Sequence, residues 1–338
     1  MRGKHHIIIE SARLKYEFEI KRNITIIQGD SATGKTTLID LLSDYQKDKE
    51  KSPVRIESDA PCEVFSGSED RWRATLELIT DSIVFIDEGN HFIRSKEFAE
   101  VVKCSTNYFV LITRDVLPSL PYSIREIYGI RTSGKYHFPE KIYHEFYPIY
   151  GDICNTASET DDRMIMITED SNSGNQYFQS FFKEPDNCIG AGGNSRIYSA
   201  MRKQDEDQIL SVVADGAAFG AFAARVLEYA EERGKTMLFL PESFEWLILK
   251  SGVATDKSLE GILERPEDYI DSSEYMSWEQ FFTEQLESIT SEDDIRRYQK
   301  SRLSSYYTSS NVKSRILQML PDQLKKALEE EEKKKMIS

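Results

Sequence analysis

Cysteine is scarce in this sequence, and its four copies stand far apart. Cys62, Cys104, Cys154 and Cys188 form no CxxC pair, which argues against a zinc site and a disulfide framework and suits a reducing compartment. Long apolar runs are missing too; none approaches the roughly 18 to 20 residues that a membrane span needs. The apolar stretch in MRGKHHIIIE is too short for a signal-peptide core, and no small-residue cleavage site follows it. A cytoplasmic protein is expected. Proline and glycine are few, and no internal repeat is present. What remains is a folded-protein composition, 39% hydrophobic and 30% charged, and 338 residues suffice for two cores.

Positive charge is also in deficit. The formal net charge is −15, and nearly all of the excess acid lies after Ile149. Such a chain has no global attraction for nucleic acid, so any contact must come from a local basic patch or through bound metal.

Strand-like and helix-like segments alternate through the first 150 residues. His6–Glu10, Leu14–Ile20 and Asn23–Gln28 read as strands, followed by a helix at Thr36–Tyr45. Short strands at Val54–Ser58 and Cys62–Ser66 come next, then a helix at Arg71–Thr80. Buried strands at Ser82–Asp87 and Tyr108–Thr113 flank a helix at Asn90–Lys103. The alternation predicts a mostly parallel sheet covered on both faces. Ser123–Tyr150 is β-prone and reads as the end of this domain, with Gly151–Arg163 as linker. A second alternation predicts strands at Met164–Thr168, Asn187–Gly190, Ile209–Ala214 and Thr236–Leu240, with helices between and after them. Pro266–Leu328 reads as helical, and Glu329–Lys335 as a frayed, solvated helix end. The expected domains are thus residues 1–150, 160–255 and a helical extension at 256–338.

Between the third strand and the first helix lies Gly29-Asp30-Ser31-Ala32-Thr33-Gly34-Lys35-Thr36-Thr37, which matches GxxxxGK[ST] in the strand-then-helix context that this motif requires. Consecutive backbone N–H groups and the helix N-terminus would cradle phosphates. Lys35 would neutralise the β- and γ-phosphates, and the Thr36 hydroxyl would ligate Mg²⁺. Ile83–Ile86 then ends in Asp87 and Glu88; Asp87 would hold the Mg²⁺ shell and Glu88 would orient or activate the attacking water. Thr113 and Arg114, after the next strand, either touch the γ-phosphate or form a solvated strand end. These features resemble the AAA/ABC-like P-loop ATPases over residues 1–150. No LSGGQ-type signature is present, and no arginine finger stands out among Arg94, Arg114, Arg125 and Arg131. The absence of an NKxD-type guanine reader points to ATP.

The second alternation places acids at strand ends: Glu169 and Asp170, then Asp215, then Glu242 and Glu245, with a Gly190, Gly192, Gly193 turn between the first two groups. A dinucleotide-binding turn would need glycine where Ser195 stands. Carboxylates gathered on one edge of a parallel sheet repel one another unless a hard cation joins them, so Mg²⁺ or Mn²⁺ is the natural partner. This order resembles the Toprim fold, most closely the Toprim-like domains paired with ATPases in anti-phage proteins of the OLD family and the PARIS type, over Met164–Ser251. The resemblance implies that Glu169 is general base or metal ligand, that Asp215 is the first acid of a DxD pair, and that Glu245 is a later catalytic glutamate. The second acid of DxD falls on Ala217, leaving a ligand missing unless Asp170 or Glu242 substitutes. A plain α/β domain with solvated strand-end acids is the other reading.

Toward the C-terminus, Tyr269, Tyr275, Trp278, Phe281 and Phe282 suggest core packing. In Ile295–Ile316 basic residues mix with Tyr298, Tyr306 and Tyr307, as a solvated face or as a surface for phosphate backbone and stacked bases. The expected function is an ATPase fused to a metal-dependent nuclease in phage defence or mobile-element biology, with a protein partner or a homo-oligomer in play. The alternative is an ATP-dependent switch or scaffold with an inactive Toprim-like domain.

Overall fold

The computed structural model describes residues 1–29, 34–137, 141–150 and 163–336. They divide into two compact units, one drawn from Met1–Gly151 and Arg265–Met276, the other from Asp152–Glu264 and Ser277–Ser338. The expected linker lies almost wholly outside the described residues. No helix among the described residues is long and apolar enough to cross a membrane.

The first unit contains β1 (His5–Glu10), β2 (Leu14–Ile20), β3 (Ile24–Ile27), α1 (Lys35–Lys47), β4 (Arg55–Glu57), β5 (Cys62–Val64) and α2 (Trp72–Leu76). β6 (Ile83–Ile86), α3 (Lys96–Lys103), β7 (Tyr108–Ile112), β8 (Ile127–His137) and β9 (Lys141–Pro148) follow. The nine strands form one sheet in the order β4-β1-β2-β9-β8-β3-β7-β6-β5. β3, β6 and β7 are buried on both faces, as near-continuous Ile, Val and Phe runs require at the centre of a parallel sheet. β1 and β2 instead alternate buried with more exposed positions.

The segment expected to close this domain runs through the middle of its sheet. β8 pairs parallel to β3 and antiparallel to β9, and β9 pairs parallel to β2. The sheet is therefore mixed, with a parallel half joined to an antiparallel one. α3 starts later than the helical period suggested, because Ser95 caps it by accepting from the Phe98 N–H at 3.1 Å.

The second unit has a four-stranded parallel sheet, β11-β10-β12-β13, built from β10 (Met164–Thr168), α4 (Ser173–Gln179), β11 (Cys188–Gly190), α5 (Asn194–Met201), β12 (Ile209–Val213), α6 (Gly220–Arg233) and β13 (Thr236–Phe239). Thr168 pairs with both Gly190 and Val213, and Val213 with Phe239. The residues that follow these strands consequently share one edge.

Residues 256–338, about a quarter of the chain, are shared between the two units. Arg265–Met276 belongs to the first, where Asp271 accepts from the Met1 amine at 3.2 Å and from Arg2 at 3.0 Å. Tyr269 is exposed there. The second unit takes α7 (Phe244–Lys250), α8 (Leu259–Glu264), α9 (Trp278–Thr290), α10 (Ser310–Leu317) and α11 (Asp322–Met336). Trp278, Phe281 and Phe282 are core, as expected. Glu329–Lys335 continues α11 and is held there, with Lys313 bridging to Glu332 at 2.8 Å and Lys335 reaching the Ser180 carbonyl at 2.8 Å.

Candidate functional site

In the first unit Ile27 pairs with Ile112, and Leu111 with Ile86, so the turns after β3, β6 and β7 meet on one edge. A pocket of about 330 Å³ opens there. Gly34, Lys35, Thr36 and Thr37 line it from the start of α1, and Asp87, Glu88 and Arg114 from the strand ends. Asp30, Ser31, Ala32 and Thr33 lie outside the described residues. Thr113 is buried, with its hydroxyl accepting from the Asp115 N–H at 2.9 Å, so Arg114 alone of that pair faces the pocket.

Local geometry explains several of these positions. Gly34 has φ 97°, which favours glycine, and a Cβ there would sit 2.8 Å from the Tyr16 hydroxyl oxygen. That hydroxyl donates to the Gly34 carbonyl at 2.9 Å. Lys35 is buried, and its ammonium donates to the Gly29 carbonyl at 2.6 Å, tying the two ends of the motif together. Glu88 lies 3.2 Å from the Arg114 guanidinium. Both side chains are about half exposed, so this pair is worth at most about 1 kcal/mol and can be broken readily.

Two pocket residues had no signal in the sequence. Tyr16 of β2 and His144 of β9 are direct neighbours across parallel strands and stack with ring centroids 4.6 Å apart. Burial pushes the Tyr16 hydroxyl up to about 12, despite an opposing bond with Thr37, and pulls His144 below the usual imidazole range. Burial thus favours a protonated phenol and a neutral imidazole beside Gly34. Only the strand pairing, which a motif search cannot see, brings them to the loop.

In the second unit Glu169, Asp215 and Glu245 line a smaller pocket of about 30 Å³, together with Asp170, Ser173 and Lys300. The Asp215 N–H donates to Glu169 Oε2 at 3.2 Å, and Asp215 Oδ1 accepts from the Phe244 N–H at 3.2 Å. Gly216 permits this approach: its N–H donates to the Pro241 carbonyl at 2.6 Å, and a Cβ would fall 2.5 Å from the Leu240 oxygen. Ala217 is buried in the same turn and offers no ligand oxygen. Of the two expected substitutes, Asp170 lines the pocket, with each carboxylate oxygen accepting from Asn172, and Glu242 does not line it.

The C-terminal segment supplies residues that the motif reading had placed elsewhere. Glu245 is 1% exposed; its Oε1 accepts from the Tyr298 hydroxyl at 2.5 Å, and its Oε2 has no partner. Tyr298 also meets Ser173 Oγ at 2.6 Å. Lys300 pairs with Glu279. Tyr298 and Tyr307 are fully buried, so the expected stacking of bases on them is corrected. Lys313 is buried as well, donating to the Ser180 carbonyl at 3.0 Å. Arg296, Arg297 and Arg302 remain at the surface, with Arg296 paired to Asp293 at 2.5 Å.

Burial dominates the electrostatics of this cluster. It pushes Glu169 up to about 7, with help from the charges of Glu279 and Asp170 and opposition from the Asp215 N–H and Lys300. Asp215 stands well above the usual carboxylate range through burial and the charges of Glu279, Glu169 and Glu245. Glu245 is raised by burial against the opposing Lys300 charge and Tyr298 bond. Burial disfavours the Lys300 ammonium, but the charges of Glu245, Glu279 and Asp215 outweigh it and raise its proton affinity. Among the described residues no three His, Cys, Asp or Glu side chains form a group that could hold a metal ion. A cation here would rest on Glu169 and Asp215 with water completing its shell, a ligand count that suits Mg²⁺.

These shifts carry a sign that can be measured. A carboxyl whose affinity for protons rises on folding stabilises the fold below its unfolded pKa, near 4.5, and that contribution is lost as pH climbs through about 7. Glu169→Gln is therefore expected to stabilise the chain by about 1 to 3 kcal/mol at pH 8 in EDTA and to change little at pH 5. Thermal melts at the two pH values test this, and equal shifts at both would contradict it.

Compared with known proteins, the chain matches no family model, and no curated protein matches it in sequence.

Proposed function

We propose that the first unit binds and hydrolyses ATP with Mg²⁺, and that the second is a Toprim-like nuclease dependent on a divalent cation and gated by nucleotide state. One observation carries the first half: Lys35 and Thr36, distant in sequence from Asp87 and Glu88, line a single pocket with them at the start of α1. The donor set suits a triphosphate. Lys35 would exchange the Gly29 carbonyl for phosphate oxygens, while Thr36 and Asp87 would hold Mg²⁺, which neutralises charge on the phosphates. Glu88 would orient water once Arg114 leaves it for the γ-phosphate. Support for the nuclease half is the meeting of Glu169, Asp215 and Glu245 in one pocket at the carboxyl edge of a parallel sheet. Ala217 favours a second reading, an ATP-dependent switch or scaffold whose acid cluster is inactive. Assays of the full chain for Mg²⁺-dependent ATP turnover and for Mn²⁺-dependent cleavage of DNA and RNA separate the two. Turnover without cleavage favours the switch; no turnover removes the ATPase.

Nucleic acid would meet the surface at Arg296, Arg297 and Arg302. Replacing all three with Ala should weaken binding and lower the salt slope by about 2 to 3, as fewer counterions are released. An identical slope would return this stretch to an ordinary solvated face.

A further inference from the structure

We propose that His144 of β9 is the nucleoside platform of the first unit's pocket: the base of a bound nucleoside triphosphate stacks on the imidazole face turned away from Tyr16. This rests on reading that pocket as a triphosphate site. Strand order decides which end of the pocket is left for the nucleoside. The loop that would hold the phosphates follows β3. On one side of β3 lie β7 and β6, whose ends lead into Arg114 and into Asp87 and Glu88. Lys35 meets the β- and γ-phosphates of such a ligand, and Glu88 orients the attacking water, so the terminal phosphate points to that side. On the other side of β3 come β8, β9 and β2, and from the last two His144, Leu14 and Tyr16 line the pocket. A triphosphate chain runs one way through the loop. Its α-phosphate and sugar therefore leave toward these three residues.

Of the three, His144 alone is both aromatic and open to a ligand. Tyr16 is fully buried, and its hydroxyl is engaged by the Gly34 carbonyl and by Thr37. Leu14 adds only an apolar wall. His144 is partly exposed, and its ring lies 14° from parallel with Tyr16, which covers one face. The Cε1 edge rests against Gly34, 3.5 Å from where a Cβ would stand. These two contacts hold the ring before any ligand arrives, so little freedom is lost on stacking. Nδ1 is buried without a partner, and burial favours the neutral ring. His144 thus brings no charge to compete with Lys35 for phosphate oxygens. What it presents is a π-face, the group on which bases stack.

The test compares two ligands on the full chain in Mg²⁺: ATP, and inorganic tripolyphosphate, which has the phosphates but no nucleoside. Calorimetry should show His144→Ala weakening ATP about tenfold, the scale of one lost base–aromatic stack, with tripolyphosphate unchanged. His144→Phe keeps a ring and should hold ATP within about threefold of wild type. Should His144→Ala fail to fold, His144→Gln, which keeps polarity and loses the ring, is read in its place and should show the same split. Equal weakening of both ligands would make His144 a prop for the loop. Unchanged ATP affinity would put the base elsewhere, and an equal ATP loss in His144→Phe would give the contact to a ring nitrogen. Any of these three overturns the proposal. A wild type that binds both ligands, with no split in the variants, sinks only the platform. A wild type that binds neither removes the triphosphate reading, and the platform with it.

Discussion

Lys35→Ala is expected to weaken ATP binding by about a hundredfold, equivalent to about 3 kcal/mol for charge-assisted bonds to phosphate oxygens. Because Lys35 is buried and donates to the Gly29 carbonyl, the same change also strips the loop of an internal tie. A melting curve and Lys35→Met, which keeps the aliphatic stem, separate lost charge from lost packing. Calorimetry on either folded variant gives the affinity, and a wild-type value would take Lys35 out of nucleotide recognition. Glu88→Gln probes the other end of the pocket. It retains a hydrogen-bond acceptor for Arg114 and leaves the phosphate contacts alone, so binding should persist. Turnover should fall by about two orders of magnitude or more if Glu88 orients water, since the amide cannot accept a proton. Equal turnover would leave Glu88 with only its Arg114 pairing.

Most strands were legible because their burial is simple. Ile83–Ile86 and Tyr108–Ile112 are apolar at every position, and Met164–Thr168 is apolar but for its last; all three are buried central strands. The β8–β9 hairpin was legible as β structure but not in place, since its insertion beside β3 depends on long-range pairing that no local pattern encodes. Gly34, Lys35, Thr36, Asp87 and Glu88 could be read from their spacing because a motif ties local backbone shape to chemistry. Lys300 and Tyr298 could not. Their basic–aromatic neighbourhood resembles an exposed face, yet burial sends Tyr298 to Glu245 and turns Lys300 toward the acid pocket. Residues that complete a site from distant sequence carry no spacing signal, and Tyr16 with His144 repeats the lesson in the first unit.

Glu169→Gln is expected to abolish cleavage of nucleic acid while leaving ATP turnover intact, because Glu169 lines the second unit's acid pocket and Lys35 the first unit's. The substitution keeps the side chain's shape and can still accept from the Asp215 N–H through its amide oxygen, so local structure should hold. What it removes is charge. Burial pushes the pKa of Glu169 up to about 7, and a divalent ion would favour its ionised form. Without that ligand the ion would lean on Asp215, since Ala217 contributes no side-chain oxygen and one oxygen of Glu245 is bonded to Tyr298. Losing one of two anionic ligands weakens the hold on the ion and on the phosphodiester oxygen it would polarise, so loss by three orders of magnitude or more, about 4 kcal/mol, is the expected scale. Cleavage of labelled DNA and RNA in Mn²⁺, with EDTA as control, measures it. Ala217→Asp is the companion variant, since a second aspartate in that turn should tighten the metal. If wild type and Glu169→Gln both fail to cleave and bind Mn²⁺ equally poorly, the acid cluster is a structural feature balanced by Lys300, and the second unit is a switch rather than an enzyme.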